Sequence, residues 1–433
     1  MLAEPDTFSL PPRKRLPLVA PDIGDSMSQT YIKNIGTLVT MVPEDGDLLG
    51  REGEAVVVID DGVISYAGAA AGAPAIEDDA TVVDAEHNAV MPGFVDCHTH
   101  AVFAGDRANE FNLRSKGASY AQIMAAGGGI RSTMKAVREA SEEELQQQLE
   151  EHLDFMLAHG TTTVEVKSGY GLTTPDEMKC LQAIRHANAN RQQDLVATFL
   201  GAHVVPWEFD NDPQGYIDHI RAEMLPAVVE NNLAEACDIF IETGVFSVEQ
   251  GRALLQDARE AGLRLHIHAE QLSRLGGAAL GAELGVKSVS HLEFSDEADA
   301  KALADAGVMV EVLSSAQTFL GMQERVPGRQ LVDAGCDFAV ATDFNPGSAY
   351  VPHLPLAASL SVTMGGLTGE EALQGMTWGG AKVLDRNDRG QLVPGKRGDV
   401  VVLDTPNPFH LLYHWGVNHV RQVVSQGVVV VGG

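Results

Sequence analysis

The sequence predicts an α/β fold, a (β/α)8 TIM barrel joined to a small composite β-sandwich domain. From residue 92 to residue 384, short apolar segments alternate with amphipathic segments of helical period, which is typical of parallel strands with helical crossovers. We count eight such units, in a span close to the roughly 250 residues typical of this barrel. Both chain ends instead carry short strand-like segments separated by turn residues.

The two chain ends predict the second domain. Residues 31–91 include EAVVVIDDGVISYAG and ATVVDAEHNAVMPG, and residues 385–433 include RGDVVVLD and HVRQVVSQGVVVVGG. We expect these two ranges to form one composite β domain. Residues 1–30 contain several prolines and no continuous apolar run, so they predict a surface tail rather than a secretory signal.

The barrel strands are predicted in eight apolar segments. In chain order they are GFVDCHTH, TTTVEVKSG, DLVATFLGAH, ACDIFIETG, LRLHIHAEQ, SVSHLE, VMVEVL and CDFAVATDFN. Helices are predicted between them, for example in SEEELQQQLEEHLDFMLAHG, SVEQGRALLQDAREAG and LSRLGGAALGAELG, where a final glycine is a common helix stop. An open doubly wound sheet is the alternative, but no glycine fingerprint follows the first strand.

The composition argues against several classes of partner. The chain has 433 residues, of which 60 are acidic and 30 basic, and a net charge of -30. This charge disfavours nucleic acid and anionic membranes, and no apolar stretch is long enough to cross a bilayer. The four cysteines are scattered without CxxC spacing, which predicts free thiols in a reducing cytoplasm. We expect a cytoplasmic protein that acts on a small molecule.

Residues at the predicted strand ends form a candidate metal site. His98 and His100 lie two residues apart on one strand, so their side chains point the same way. His268 ends the fifth strand and Asp343 the eighth, and such ends converge at one mouth of the barrel. Three histidines and one aspartate suit Zn²⁺ or Fe²⁺. His266 is the alternative to His268, although it can equally be a buried, hydrogen-bonded core histidine.

Lys167, at the end of the second strand, has two interpretations. In some metal hydrolases, a lysine at a strand end is carbamylated and bridges two metal ions. Glu165 lies on the same face of this strand, so an ion pair between the two side chains is favoured. We therefore predict a site with one metal ion.

The predicted chemistry is hydrolysis of a polarised carbon centre. A metal ion with an open coordination position lowers the pKa of a bound water molecule to about 7, which makes hydroxide available at neutral pH. Asp343 can both bind the metal ion and accept the proton of this water. His291 can orient the water or stabilise an oxyanion, or it can form a purely structural hydrogen bond near the barrel mouth.

Several motifs resemble those of the amidohydrolase superfamily and, within it, the imidazolonepropionase family. They are PGFVDCHTHAVFAGDRANEF, AAGGGIRST, TTTVEVKSGYGL, FLGAHVVP, HAEQLSRLGGA, HLE and ATDFNPGS. The resemblance implies a metal-bound hydroxide that opens 4-imidazolone-5-propanoate to N-formimidoyl-L-glutamate in histidine degradation. It further implies one Zn²⁺ or Fe³⁺ per subunit and a homodimer.

The same resemblance implies a set of substrate-binding residues. Arg107 would hold the propionate carboxylate, as a guanidinium group does well, and Gln271 would bond to the ring amide in a catalytic role. The remaining members are Tyr120, Tyr170, His203, Asn345, Gly347 and Ser348. Two alternatives stay open: aromatic packing for the tyrosines, and a surface ion pair with Glu110 for Arg107.

Four positions depart from the family pattern and bear on the substrate. Ser314 and Ser315 replace a Pro-Gly turn after the seventh strand, Ser290 replaces an aspartate and Ile241 a cysteine. A related imidazolone or hydantoin with a propionate is therefore an alternative substrate. Deamination of a nucleobase-type ring is disfavoured because Gln271 cannot shuttle a proton, and a non-catalytic scaffold because all four ligand positions are filled.

Overall fold

The computed structural model describes residues 29–42, 52–118, 122 and 128–432. Most of the predicted tail, and the predicted binding residue Tyr120, lie outside the described residues. The strands in chain order are β1 Thr30–Leu38, β2 Glu52–Asp60, β3 Val63–Ala69, β4 Thr81–Asp84, β5 Ala89–Pro92, β6 Phe94–Asp96, β7 Thr161–Lys167, β8 Asp194–Ala202, β9 Ala236–Ile241, β10 Arg264–Ala269, β11 Ser288–His291, β12 Met309–Val312, β13 Phe338–Val340, β14 Val400–Leu403, β15 Val420–Ser425 and β16 Val428–Val431.

Strands β6 to β13 form the barrel and pair in sequence order. All seven pairings between neighbours are parallel, and each predicted barrel segment contains one of these strands. The circle closes beyond the ends of β13 and β6, where Thr99 and Phe344 form a parallel bridge. The predicted (β/α)8 barrel is confirmed, and the chain segments that close it carry predicted metal ligands.

Helices follow most of the barrel strands. They are α1 Ala108–Ser115, α2 Ile130–Glu139, α3 Glu142–Ala158, α4 Thr174–Ala189, α5 Pro213–His219, α6 Leu225–Glu230, α7 Val248–Glu260, α8 Gly277–Leu284, α9 Glu297–Asp305, α10 Ser314–Leu320, α11 Gly328–Asp333, α12 Leu354–Thr363, α13 Gly369–Gln374, α14 Gly380–Val383 and α15 His410–Tyr413. Ser141 and Ser247 begin α3 and α7 with capping boxes that satisfy the first backbone N–H groups. In contrast, α8 begins late in its predicted segment, at Gly277, where the Glu270 carboxylate accepts hydrogen bonds from the backbone N–H groups of residues 275, 276 and 278.

Strand alternation determines which side chains enter the barrel. Val164 and Val166 of β7 belong to the same buried core as Leu149 and Leu153 of α3. Since successive side chains of a strand face opposite sides, Glu165 and Lys167, which alternate with these valines, point into the barrel. A parallel strand that is apolar on its outer face thus delivers charged groups to the centre.

The second sheet joins both chain ends, in the order β16-β15-β14-β5-β1-β2-β3, with β4 also paired to β1. One edge of β1 pairs with β2, while the other pairs with β4 at residues 30–33 and with β5 at residues 37 and 38. The sheet therefore branches at β1, and it encloses its own core with Ile32, Val57 and Val402. This agrees with the predicted composite β domain. Among the described residues, no helix is long and apolar enough to cross a membrane.

Candidate metal centre and active site

Three of the four predicted metal ligands meet where the barrel closes. The backbone N–H of Asp343 donates to the carbonyl oxygen of His98 at 3.1 Å, and that of His100 donates to Phe344 at 2.9 Å. This pairing brings Asp343 Oδ1 to 3.4 Å from His100 Nε2 and to 3.7 Å from His98 Nε2. The closing segments therefore position these ligands directly.

The fourth predicted ligand, His268, reaches the same point from the end of β10. Its Nε2 lies 3.4 Å from His100 Nε2, and its ring centroid lies 4.5 Å from that of His98. Donor atoms of His98, His100 and Asp343 all lie within 4.8 Å of one another, as do those of His98, His268 and His291. The structure thus brings all four predicted ligands together, with His291 beside them.

The chemistry of this donor set fits a metal ion. Among the described residues, His98 Nε2 and Asp343 Oδ2 are buried and have no hydrogen-bond partner, although buried polar atoms are normally satisfied. Burial holds the pKa of His98 and His100 well below the ordinary value for histidine, so both rings are neutral, as ligands must be. Imidazole nitrogens with one carboxylate oxygen suit zinc or iron.

Two carboxylates that the sequence analysis missed hold the histidine rings from behind. His98 Nδ1 lies 2.6 Å from Glu311 Oε2, and His268 Nδ1 lies 3.0 Å from Asp238 Oδ1. A carboxylate that accepts the Nδ1 proton leaves the Nε2 lone pair facing the metal position, which is the usual way of orienting a metal-bound histidine. Glu311 and Asp238 therefore fix the tautomer and the direction of two candidate ligands.

We expect Asp238→Asn and Glu311→Gln each to weaken metal binding by about 10- to 100-fold, because an amide holds the imidazole N–H less strongly than a carboxylate does. Competition with a chelator, read by metal analysis, gives the affinity. Glu177→Gln is the matched control, since Glu177 is also a buried carboxylate but binds only a loop. Unchanged affinity in both variants would contradict this role.

Lys167 belongs to a buried ionic cluster inside the barrel. Its Nζ is 2.8 Å from Glu165 Oε1 and 3.0 Å from Asp238 Oδ2. Burial alone lowers the pKa of Lys167, but Glu165 and Asp238 outweigh that effect and raise the pKa above its usual range. A charged ammonium group held by two carboxylates does not offer the free amine that carbamylation requires. These contacts favour the ion-pair interpretation.

His266, the alternative ligand, is part of the hydrogen-bond network that supports the site. Its Nδ1 lies 2.6 Å from Ser288 Oγ, and that hydroxyl donates to Glu311. Burial lowers the pKa of His266 to about 3, so the ring is neutral. It is absent from the groups of converging donor atoms among the described residues, which favours His268 as the ligand.

Backbone strain accompanies the chemistry at two strand ends. Asp343 has φ 52°, and His291 and Leu292 have φ 74° and 69°, values that are uncommon for residues other than glycine. His291 Nδ1 lies 3.6 Å from Glu293 Oε1. Burial lowers the pKa of His291, but Glu293 and Asp343 outweigh it, so the net shift is upward. Such strain is typical of functional positions.

Other predicted substrate-binding residues border the same centre. His203 stacks on His100 with ring centroids 5.0 Å apart, and Tyr170 lies 5.2 Å from His203. His203 Nδ1 donates to the carbonyl oxygen of Gly169 at 2.9 Å. Gln271, three residues after His268, is buried. The loop that carries Tyr170 is held by Glu177, whose carboxylate accepts hydrogen bonds from the backbone N–H groups of residues 169, 171 and 172.

The remaining predicted residues form a turn after β13. Asn345 Oδ1 accepts hydrogen bonds from the backbone N–H groups of Gly347 and Ser348, both at 2.8 Å, and its Nδ2 donates to the Asp343 carbonyl oxygen at 2.6 Å. Asn345 thus shapes the turn through its own side chain. Arg107 reaches this turn from the loop after β6, and its Nε donates to Thr133 Oγ1 at 2.9 Å.

Comparison with known proteins identifies the family. Residues 89–430 match the model of the amidohydrolase family. The chain belongs to this family. Two relatives, both 43% identical, are the imidazolonepropionases of Alkaliphilus metalliredigens (94% of this chain, 98% of the relative) and of Porphyromonas gingivalis strain W83 (92% and 97%). This level of identity places the chain among the imidazolonepropionases and confirms the resemblance.

A solved structure of the same architecture supports the fold. A triazine hydrolase variant aligns with TM-score 0.68 at 19% identity, over 93% of this chain and 95% of that one. At this identity, the likeness extends to the fold alone. The amidohydrolase family is metal-dependent, and the histidine-rich centre of this imidazolonepropionase-type chain agrees with that property.

Proposed function

We propose that this protein hydrolyses 4-imidazolone-5-propanoate to N-formimidoyl-L-glutamate in histidine degradation. The observation that carries the proposal is the convergence of His98, His100, His268 and Asp343 at the mouth that also carries Arg107. The names of the 43% identical relatives select the substrate. The reaction breaks a C–N bond of a cyclic amidine by adding water.

We assign the metal position to His98, His100, His268 and Asp343, with one Zn²⁺ or Fe³⁺ per subunit. When bound there, the ion supplies Lewis acidity that lowers the pKa of water toward neutrality and polarises the ring carbonyl. Glu311 and Asp238 keep His98 and His268 in the required tautomer.

Proton transfer is assigned to Asp343. Its buried Oδ2 has no partner among the described residues, so it can accept the proton of the attacking water. The ring opens by cleavage of the bond between the carbonyl carbon and the adjacent nitrogen, and this nitrogen must receive a proton as it leaves. Asp343 can donate to it the proton that it took from water. The old carbonyl becomes the new carboxylate, and the nitrogen stays in the formimidoyl group.

The remaining groups orient the ring and its charge. His291, whose pKa Glu293 raises against the effect of burial, can donate a hydrogen bond to the oxygen that becomes negative. Gln271 offers an amide to the ring, and Tyr170 and His203 pack beside it. We assign Arg107 to the propionate carboxylate, and Asn345, Gly347 and Ser348 to polar groups of substrate or product. Tyr120 remains a predicted member of this pocket.

A panel assay tests the proposal. We expect metal-loaded protein to change the ultraviolet absorbance of 4-imidazolone-5-propanoate, with kcat/KM at least about 100-fold above that for hydantoin-5-propanoate, because the hydrogen-bond pattern of the ring differs. Guanine and cytosine serve as controls for deamination. Preference for the hydantoin would replace the substrate but keep the chemistry, whereas deamination of either base would overturn the proposal.

We also propose a cytoplasmic homodimer that binds neither nucleic acid nor membrane. The net charge of -30 supports the last two points. Light scattering on purified protein tests the dimer, and a mass of one chain would contradict it.

A further inference from the structure

Two guanidinium groups converge on the turn after β13. The Nη1 atom of Arg107 lies so close to Gly347 that a Cβ at this position would come within 2.4 Å of it. Glycine therefore leaves the space that the guanidinium group occupies. Arg114 also reaches this residue, and its Nη2 donates to the carbonyl oxygen of Gly347 at 3.4 Å. The two arginines thus meet at one residue, at the mouth that holds the metal ligands.

Arg114 is held in place by aromatic rings. Its Cζ lies 5.9 Å from the ring centroid of Phe111 in α1 and 5.5 Å from that of Phe319 in α10. The two rings are themselves 5.2 Å apart. Contacts of a cation with ring faces are attractive and restrict the side chain, so Arg114 is oriented before any ligand arrives. These ring contacts distinguish Arg114 from a surface arginine that only increases solubility.

The charge of this pair is only partly compensated within the described residues. Burial lowers the pKa of Arg114, Arg107 lowers it further, and Glu110 opposes both effects. The Glu110 carboxylate is directed elsewhere, because its Oε1 accepts hydrogen bonds from the Gly129 N–H and from Ser132 Oγ. Neither arginine forms an ion pair with any residue that the structure describes. The predicted alternative, an ion pair between Arg107 and Glu110, is therefore not observed.

We propose that Arg107 and Arg114 form a two-arginine clamp for the propionate carboxylate of the substrate. This inference rests on the proposed function, and Arg114 is its new member. Two neighbouring cations are stabilised by an anion between them, and guanidinium groups bind carboxylates with paired hydrogen bonds. Phe319 belongs to the helix that starts at Ser314 and Ser315. The departure from the family pattern therefore lies in the helix whose Phe319 ring supports Arg114.

Kinetics with two substrates test the clamp. For Arg114→Met, we expect KM for 4-imidazolone-5-propanoate to rise by about 10- to 100-fold, with kcat changed by less than about threefold, because a charged hydrogen bond is lost in both ground and transition states. The propionamide analogue, which has no charge on its tail, should lose less than about threefold in kcat/KM. Arg114→Lys should recover part of the loss for the acid.

Lys116→Met is the matched control, since it removes one exposed positive charge from the residue after the same helix. Its KM for the acid should stay within about twofold of that of the unmodified protein, because only an exposed charge is lost. Equal losses on acid and propionamide in Arg114→Met would assign Arg114 a structural role and overturn the clamp. No loss on either substrate would also overturn it.

Binding of glutarate separates the clamp from the proposed function. Calorimetry should show glutarate binding to the unmodified protein and binding about 10-fold weaker or worse in Arg114→Met. If the protein opens no imidazolone ring yet shows this pattern, the proposed function fails and the clamp stands as a carboxylate site. If glutarate does not bind, or binds both proteins equally, the clamp fails whatever the ring specificity.

Discussion

Asp343→Asn should lower kcat for ring opening by about three orders of magnitude or more, because a carboxylate positioned for proton transfer contributes about 10²–10⁴-fold and this one also lies beside the candidate metal ligands. Asparagine keeps the size of the side chain and one oxygen, but its amide cannot accept the proton of water. It also suits the backbone, since Asp343 has φ 52° and asparagine tolerates that region better than alanine does. Single-turnover rates and metal analysis together measure the effect.

Comparison with Asp343→Ala separates the two roles of this residue. Alanine removes both the ligand oxygen and the proton acceptor, so we expect metal content to fall as well as kcat. Asp337→Asn is the matched control, because Asp337 lies just before β13 at the opposite end of the strand and is largely exposed in an ion pair with Lys382. If Asp343→Asn kept its metal and retained a tenth or more of the original kcat, Asp343 would not be the proton acceptor.

The sequence predicts the barrel, and the convergence of the candidate ligands at its mouth, because both depend on local patterns. Apolar strands alternate with amphipathic helices, and this rhythm determines a parallel sheet with its strand ends on one side. Histidines two residues apart at the end of a strand must point the same way. His98, His100 and His268 could therefore each be identified as candidate ligands from the sequence. The distances between their side chains could not be predicted in this way.

The supporting carboxylates could have been found but were not. Asp238 lies within ACDIFI, and Glu311 within MVEV. A charged residue inside an otherwise apolar buried strand is costly unless it is paired, so each of them indicates a partner inside the barrel. Which partner each one meets depends on the register between strands, which the sequence of a single strand does not contain.

The long-range contacts at the barrel mouth could not be predicted from local sequence patterns. The bridge between Thr99 and Phe344 joins residues 245 positions apart, just outside two strands. The contact of Arg114 with Phe319 depends on how two short helices meet over the turn at Gly347. Such long-range contacts follow from the packing of the whole barrel and not from the residues that flank them.

Lys167→Met should lower the free energy of unfolding by about 3–5 kcal/mol, the usual cost of removing one partner from a buried ion pair. Lys167 is fully enclosed and is the cation between Glu165 and Asp238. Burial raises the pKa of Glu311, and Lys167 opposes this rise. Without the lysine, these carboxyl groups must bind protons or remain charged without a counter-ion, and both outcomes destabilise the barrel.

Thermal unfolding and denaturant titration of the metal-free protein measure this loss without interference from metal binding. Lys301→Met is the matched control, because the exposed i,i+4 pair of Lys301 with Asp305 contributes at most about 0.5 kcal/mol. The Lys167→Met variant also tests the alternative role of Lys167, since a carbamylated lysine would hold a second metal ion. Metal content that fell from two ions to one, with stability unchanged, would contradict the ion pair and establish a bridging lysine.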